Sequence, residues 1–107
     1  MIKFEKQRLN MAKATARHIL VKTEKLCNKI KREINKKEII FEKAAKQFSK
    51  CPSAKKGGDL GQFYDGQMVA AFDKVVFNEK LHMVHGPVKT QFGFHLIEIT
   101  SRTEKNI

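Results

Sequence analysis

The side chains in this sequence best suited to chemistry are two histidines in short apolar runs, a cysteine in a glycine-rich stretch, and an apolar cluster that closes that stretch. His18 lies in Thr-Ala-Arg-His-Ile-Leu-Val, and His95 in Phe-His-Leu-Ile-Glu-Ile-Thr. Residues 49–74 hold Cys51, one of two prolines and four of six glycines, and end on Met68, Val69, Ala70, Ala71 and Phe72, which can line a pocket. Gly57, Gly58 and Gly61 let the backbone around Asp59 and Leu60 fold back on itself. An imidazole beside a thiol would suit nucleophilic catalysis. Against that, Cys51 precedes Pro52 at an expected helix end, where the helix dipole does not favour a thiolate, and no Asn or Asp stands out as the third member of a triad. His82 and His85 could pair on a metal, but no third ligand is nearby, so an exposed loop pair is expected, with no metal and no cofactor. Taken alone, a strand histidine is most often a satisfied core group, and Met68 with Phe72 at i, i+4 is most often core.

These groups need elements to position them. Residues 15–21 alternate as a strand, with His18 and Leu20 on one face, Arg17, Ile19 and Val21 on the other, and much of both faces buried. Leu26, Ile30 and Ile34 predict an amphipathic helix over 24–36 whose outer face carries Lys25, Lys29, Arg32 and Lys36, with Cys27 as packing. Phe41, Ala44, Ala45 and Phe48 fit a second helix, ended by Cys51-Pro52. A short strand over 61–64 and a turn at Asp65-Gly66 follow. Met68, Phe72, Val75 and Val76 then share a helical face reaching Phe77, and 78–85 reads as irregular. Gly86-Pro87-Val88 enters a strand, 91–93 turns, and 94–100 closes the sheet with His95, Ile97 and Ile99 on one face. This order is that of an α+β fold, helices layered on a small sheet.

With 107 residues and 41% hydrophobic content, the chain suits one compact domain over 14–102, burying roughly two-thirds of its unfolded surface. Residues 1–13 read as a polar extension in which Met11 could be a second start, and 103–107 as a tail. No apolar run approaches the ~18 residues of a membrane span, and charges interrupt any signal-peptide core, so a cytoplasmic chain with no membrane partner is expected. Two cysteines in unlike surroundings imply reduced thiols. The net charge of +11 invites nucleic acid as a partner. The lysines are scattered, however, and no aromatics interleave with them, which favours a solvated basic surface.

The runs His18-Ile19-Leu20-Val21-Lys22, residues 54–61 (Ala-Lys-Lys-Gly-Gly-Asp-Leu-Gly), Gly66-Gln67-Met68 with Phe72, Gly86-Pro87-Val88 and Phe92-Gly93-Phe94-His95-Leu96-Ile97 occur in register from about residue 14 to 102. Together they resemble the parvulin family of peptidyl-prolyl cis-trans isomerases, and within it the small bacterial parvulins, rotamases that act as general folding helpers or chaperones. The resemblance implies a four-stranded antiparallel sheet surrounded by about four helices. It implies a proline pocket of Leu60, Met68 and Phe72 extended by Phe92. His18 and His95 match paired histidines, Thr90 the hydroxyl that orients them, and Cys51 a polar residue facing the substrate carbonyl. The implied partners are proline-containing polypeptides, handled by a monomer. The long basic loop of the phosphate-directed branch is largely missing after Lys22, which implies an uncharged or apolar residue before proline. Two other readings stand beside this one: a non-catalytic basic module binding proline-containing or anionic partners, nucleic acid or ribosome included, and a Cys/His hydrolase.

Overall fold

A computed structural model describes residues 12–103. The expected extension, with Met11, and the tail lie largely outside the described residues, although Ala12 is already buried and the first strand begins at Lys13. The strands are β1 (Lys13–Val21), β2 (Asp59–Tyr64), β3 (Val84–Thr90) and β4 (Gly93–Arg102), and the helices α1 (Glu24–Asn35), α2 (Phe41–Phe48) and α3 (Ala70–Val76). A short 3-10 helix, Pro52–Lys56, follows α2. The sheet has the order β2-β1-β4-β3 with every neighbouring pair antiparallel.

Helix α1 starts where the sequence provides a cap. The Leu26 N–H donates to Thr23 Oγ1 at 3.2 Å, and Glu24 places a negative charge at the positive end of the helix dipole. Its Cys27 and Ile30 join Phe41, Ala44 and Ala45 of α2 against Ile19, Val21 and Leu96 of the central strands. The other face of the sheet packs Ala14, Ala16, Ile97 and Ile99 against Phe63 and against Phe72 and Val76 of α3. Each fully buried Ile, Leu or Val contributes about 1.5–3 kcal/mol through lost water contact, so two thin apolar layers hold the central strands between them. Burial is also what sets the Cys27 thiol, pushed up to about 11, outweighing the opposing pull of Lys31.

Three details depart from the sequence reading. Helix α2 ends at Phe48, four residues before the proline, and Pro52 occupies the first position of the 3-10 helix, where its missing N–H is no loss. Cys51 is therefore the N-cap of that short helix, with no side-chain capping bond. Helix α3 starts only at Ala70, so Met68 stands ahead of the helix in the chain that leads into it. His85 belongs to β3 and is half-buried, its Nε2 hydrogen-bonded to the Lys80 carbonyl at 2.7 Å, whereas His82 is exposed, so the pair is not a loop pair.

Two glycines are required by close backbone approach. A Cβ on Gly58 (φ 89°) would run into the carbonyl oxygen of His18, and one on Gly86 (φ 129°) into that of His95. Gly58 also accepts the His18 N–H at 3.0 Å, so this approach fixes the strand position that carries the imidazole. Gly58→Ala should lower unfolding free energy by about 2–4 kcal/mol, combining a left-handed-region penalty with backbone displacement. Urea denaturation checks this; a loss under half a kcal/mol would contradict the packing described.

Candidate active site

The register of the central strands brings the histidines together. His18 on β1 faces Ile97 and His95 on β4 faces Leu20, which makes the two imidazoles diagonal neighbours on one face. Thr90 faces Gly93 across the β3–β4 ladder, two residues from His95, and so takes the next diagonal. The polar side chains meet in a line: His18 Nδ1 lies 3.0 Å from His95 Nδ1, and His95 Nε2 lies 2.7 Å from Thr90 Oγ1. The Phe92 N–H donates to the same hydroxyl at 3.1 Å. His18 Nε2 ends the line, buried and without a hydrogen-bond partner.

An Nδ1-to-Nδ1 bond needs one N–H and one bare nitrogen, so the two rings cannot both be protonated. Burial favours two neutral rings. It lowers His18 to about 4, helped by repulsion from His95, and lowers His95 from its ordinary value as well. The Phe72 ring stands edge-on to both, with centroids 5.5 Å from His18 and 5.4 Å from His95, so the imidazoles are part of an aromatic floor.

Over this floor lies a cavity of about 550 Å³. Its walls include Leu60, Met68, Phe72, Phe92 and Cys51, as well as His18 and His95. Thus seven of the eight residues singled out from the sequence reach one cavity, and Thr90 supports it from behind through His95. Phe92, at the tip of the two-residue β3–β4 hairpin, is 60% exposed, so this wall stands open to an incoming chain. Met68 is placed by its neighbour: Gln67 Oε1 accepts the Tyr64 N–H at 2.7 Å and locks the turn before it. On the other side Lys50 donates its backbone N–H to the Leu20 carbonyl at 2.7 Å, and Ser49 Oγ accepts from the Leu20 N–H at 3.0 Å. Those bonds pin Cys51 to the end of β1. Val69, of the apolar cluster expected to line a pocket, does so; Leu20, Lys50, Pro52 and Gln67 also line the cavity and were given no site role from the sequence, because their place comes from this stitching and not from any pattern along the chain.

Chemically, the arrangement can enclose an apolar ring and shield an adjacent polar group from water. It is poorly arranged for a thiol nucleophile, since Cys51 makes no side-chain hydrogen bond to either imidazole and both Nδ1 atoms are already engaged. Among the described residues no three His, Cys, Asp or Glu side chains are grouped to hold a metal ion.

A four-stranded antiparallel sheet with this helical cover and paired histidines beneath an apolar cavity defines the parvulin class of prolyl isomerase domains. Residues 1–103 match the model of the PPIC-type PPIASE domain, and the chain belongs to that family. Foldase protein PrsA of Geobacillus sp. (strain WCH70) is 47% identical over 94 residues, which is 87% of this chain and 34% of the relative. The crystal structure of PrsA from Bacillus anthracis superposes with a TM-score of 0.85 at 30% identity, over 98% of this chain and 48% of that one. A SurA-like chaperone of Campylobacter jejuni, one of a pair that includes a periplasmic protein, gives a TM-score of 0.84 at 33% identity, over 96% of this chain and 44% of that one. The chain thus spans about a third of the length of the curated PrsA relative. These similarities overturn the cytoplasmic expectation: PrsA and SurA are extracytoplasmic folding factors. The charged residues near Met1 could not indicate compartment, since the match covers only about a third of the curated PrsA relative.

The histidine line predicts a pH dependence with a definite sign. The unfolded His18 ring takes up a proton near pH 6.5 and the folded one only near 4, so the unfolded state binds more protons between those values. Stability should be level above about pH 6.5 and fall as pH drops toward 4, by roughly 3 kcal/mol over the whole window. Chemical denaturation as a pH series measures this, and His18→Gln should flatten the slope. An unchanged slope in that variant would place the titration elsewhere.

Proposed function

We propose that residues 14–102 form the catalytic unit of a folding factor that accelerates rotation about X-Pro bonds in polypeptide chains, without a covalent intermediate or cofactor. The observation that carries this is the hydrogen-bonded histidine pair lying under an apolar cavity of a size to take a proline ring.

Rotation about an X-Pro bond must break amide resonance across a barrier of ~18–20 kcal/mol, and no bond between substrate atoms need be cut. In the twisted amide the nitrogen regains its lone pair and the carbonyl loses polarity. A site that removes water from the amide therefore penalises the planar, charge-separated form most, and rate is gained only where the twisted form is bound better than the planar one. Leu60, Met68 and Phe72 hold the proline ring, and Phe92 closes the wall. His18 and His95 line the floor without bringing in charge, with Thr90 orienting His95. The Cys51 thiol is a weak polar contact to the carbonyl preceding the proline and not a nucleophile. One chain supplies every wall of the cavity, so a monomer suffices. The residue immediately before proline is uncharged or apolar, because the arginine cluster that would grip a phosphate is absent around Lys22.

Exchange spectroscopy on Leu-Pro peptides tests this. Intact protein should speed cis-trans exchange, Met68→Ala should lose roughly tenfold or more of that gain, and Cys51→Ala should retain most of it. Binding without faster exchange would move the function to a proline-recognition module, and a Cys51→Ala variant reduced to the uncatalysed rate would favour covalent chemistry. Phosphoserine-proline peptides turned over faster than leucine-proline peptides would contradict the assigned specificity.

A further inference from the structure

The charge of this molecule is unevenly distributed, and the uneven part reaches the cavity. Residues 22–56, which make up α1, α2 and the 3-10 helix, carry twelve lysines and arginines against Glu24, Glu33, Glu38 and Glu42. Residues 57–83, which supply β2 and α3, carry four carboxylates (Asp59, Asp65, Asp73 and Glu79) against Lys74 and Lys80. Helices α1 and α2 pack on one face of the sheet and α3 on the other, so the domain has a strongly basic side and a mildly acidic one.

The cavity lies where the two meet. Its wall of Leu60, Met68 and Phe72 comes from the acidic stretch, and its rim of Lys50, Cys51 and Pro52 comes from the basic one. Within residues 43–58 there are five lysines and no carboxylate at all. Among the described residues, Lys50 is the one charged residue lining the cavity once the histidines are neutral. It is exposed, as are Lys55 and Lys56, and the ion pairs found among the described residues, Arg17–Glu98 and Lys46–Glu42, leave all three without a carboxylate partner. At about 2 Å of rise per residue in a 3-10 helix, Lys55 and Lys56 stand some 6–8 Å beyond Pro52, the span of about two residues of extended peptide.

We infer that this domain selects proline segments with acidic residues on one side, two to four positions from the proline, held by Lys50 close to the cavity and by Lys55 and Lys56 beyond it. The inference rests on the isomerase reading above and extends it from the apolar pocket to the flanking chain. It is compatible with an apolar residue immediately before proline, since the lysines lie outside the cavity floor. A polypeptide fits this surface better than nucleic acid does, because the basic rim is continuous with a cavity shaped for an apolar ring and carries no run of aromatic side chains for bases to stack on. Lysines supply diffuse attraction without demanding one geometry, which suits varied client sequences.

The test uses the whole chain and three peptides with the same Ala-Leu-Pro-Phe centre, flanked by glutamates, glutamines or lysines on either side. At ~50 mM salt the glutamate-flanked peptide should show kcat/KM roughly three- to tenfold above the lysine-flanked one, and at ~500 mM salt the ratio should approach one, because exposed pairs are weak and screened. In the K50E/K55E/K56E variant, whose substituted side chains are all exposed, the ratio should invert. Equal kcat/KM for the charged peptides in intact protein overturns the inference while leaving isomerase activity in place, whether or not a single-stranded oligonucleotide binds the same surface. A preference that persists in the variant overturns the assignment to these lysines. Failure to turn over any of the peptides, glutamine-flanked included, overturns the isomerase reading on which it rests.

Discussion

The hydrogen bond between the Nδ1 atoms of His18 and His95 is the constraint on which the rest of the structure depends. It joins two polar side chains at 3.0 Å in a region that is otherwise apolar, from two strands that are both internal to the sheet. It can form only if β1 and β4 hold the register that makes the rings diagonal, so neither strand can slip by one residue without sending an imidazole to the opposite face. The backbones behind the rings are fixed in the same way. Gly58 approaches the His18 carbonyl and Gly86 the His95 carbonyl, each more closely than a side chain would permit.

Chemistry follows from this constraint through burial. Because the rings lie between the sheet and Phe72, protonation is disfavoured, and the line that runs from the Phe92 N–H through Thr90 to the histidines stays uncharged around neutral pH. A charged imidazole would hold water and stabilise the polar, planar amide. A neutral one presents a surface that is polar at its nitrogen atoms and otherwise apolar, which is the role the proposed mechanism gives it. Thr90 also ties the floor to the wall, since the same hydroxyl meets the His95 ring and the backbone of Phe92.

Much of this was legible in the sequence because the signals were local. Alternation in 15–21 and 94–100 predicts the central strands and puts His18 and His95 on their correct faces, and the four-residue recurrence of Leu26, Ile30 and Ile34 predicts α1 to within a residue. Periodicity was less informative where short-range geometry competes with it. Pro52 reads as the end of a helix, yet it begins a 3-10 helix, and Met68 matches the helical face of Phe72 while standing two residues before α3 begins. At the rim of the cavity Cys51 was legible but the place of Lys50 was not. Lys50 is held there by a backbone hydrogen bond to Leu20, thirty residues away and reinforced by Ser49, and nothing in its own neighbourhood announces that pairing. The paired histidines also gained meaning from family resemblance, since spacing alone would have left two ordinary strand residues.

The claim at the centre of this account is that the histidine pair is neutral and shares one proton across the Nδ1 atoms while the domain is folded. Nitrogen-15 NMR of the imidazole rings at about pH 5.5, one unit below the ordinary histidine value, tests it most directly. The account predicts that His18 gives a neutral-ring shift, with scalar coupling between its Nδ1 and that of His95 through the shared hydrogen. An imidazolium signal from His18 under those conditions, or no coupling between the two rings, would contradict it.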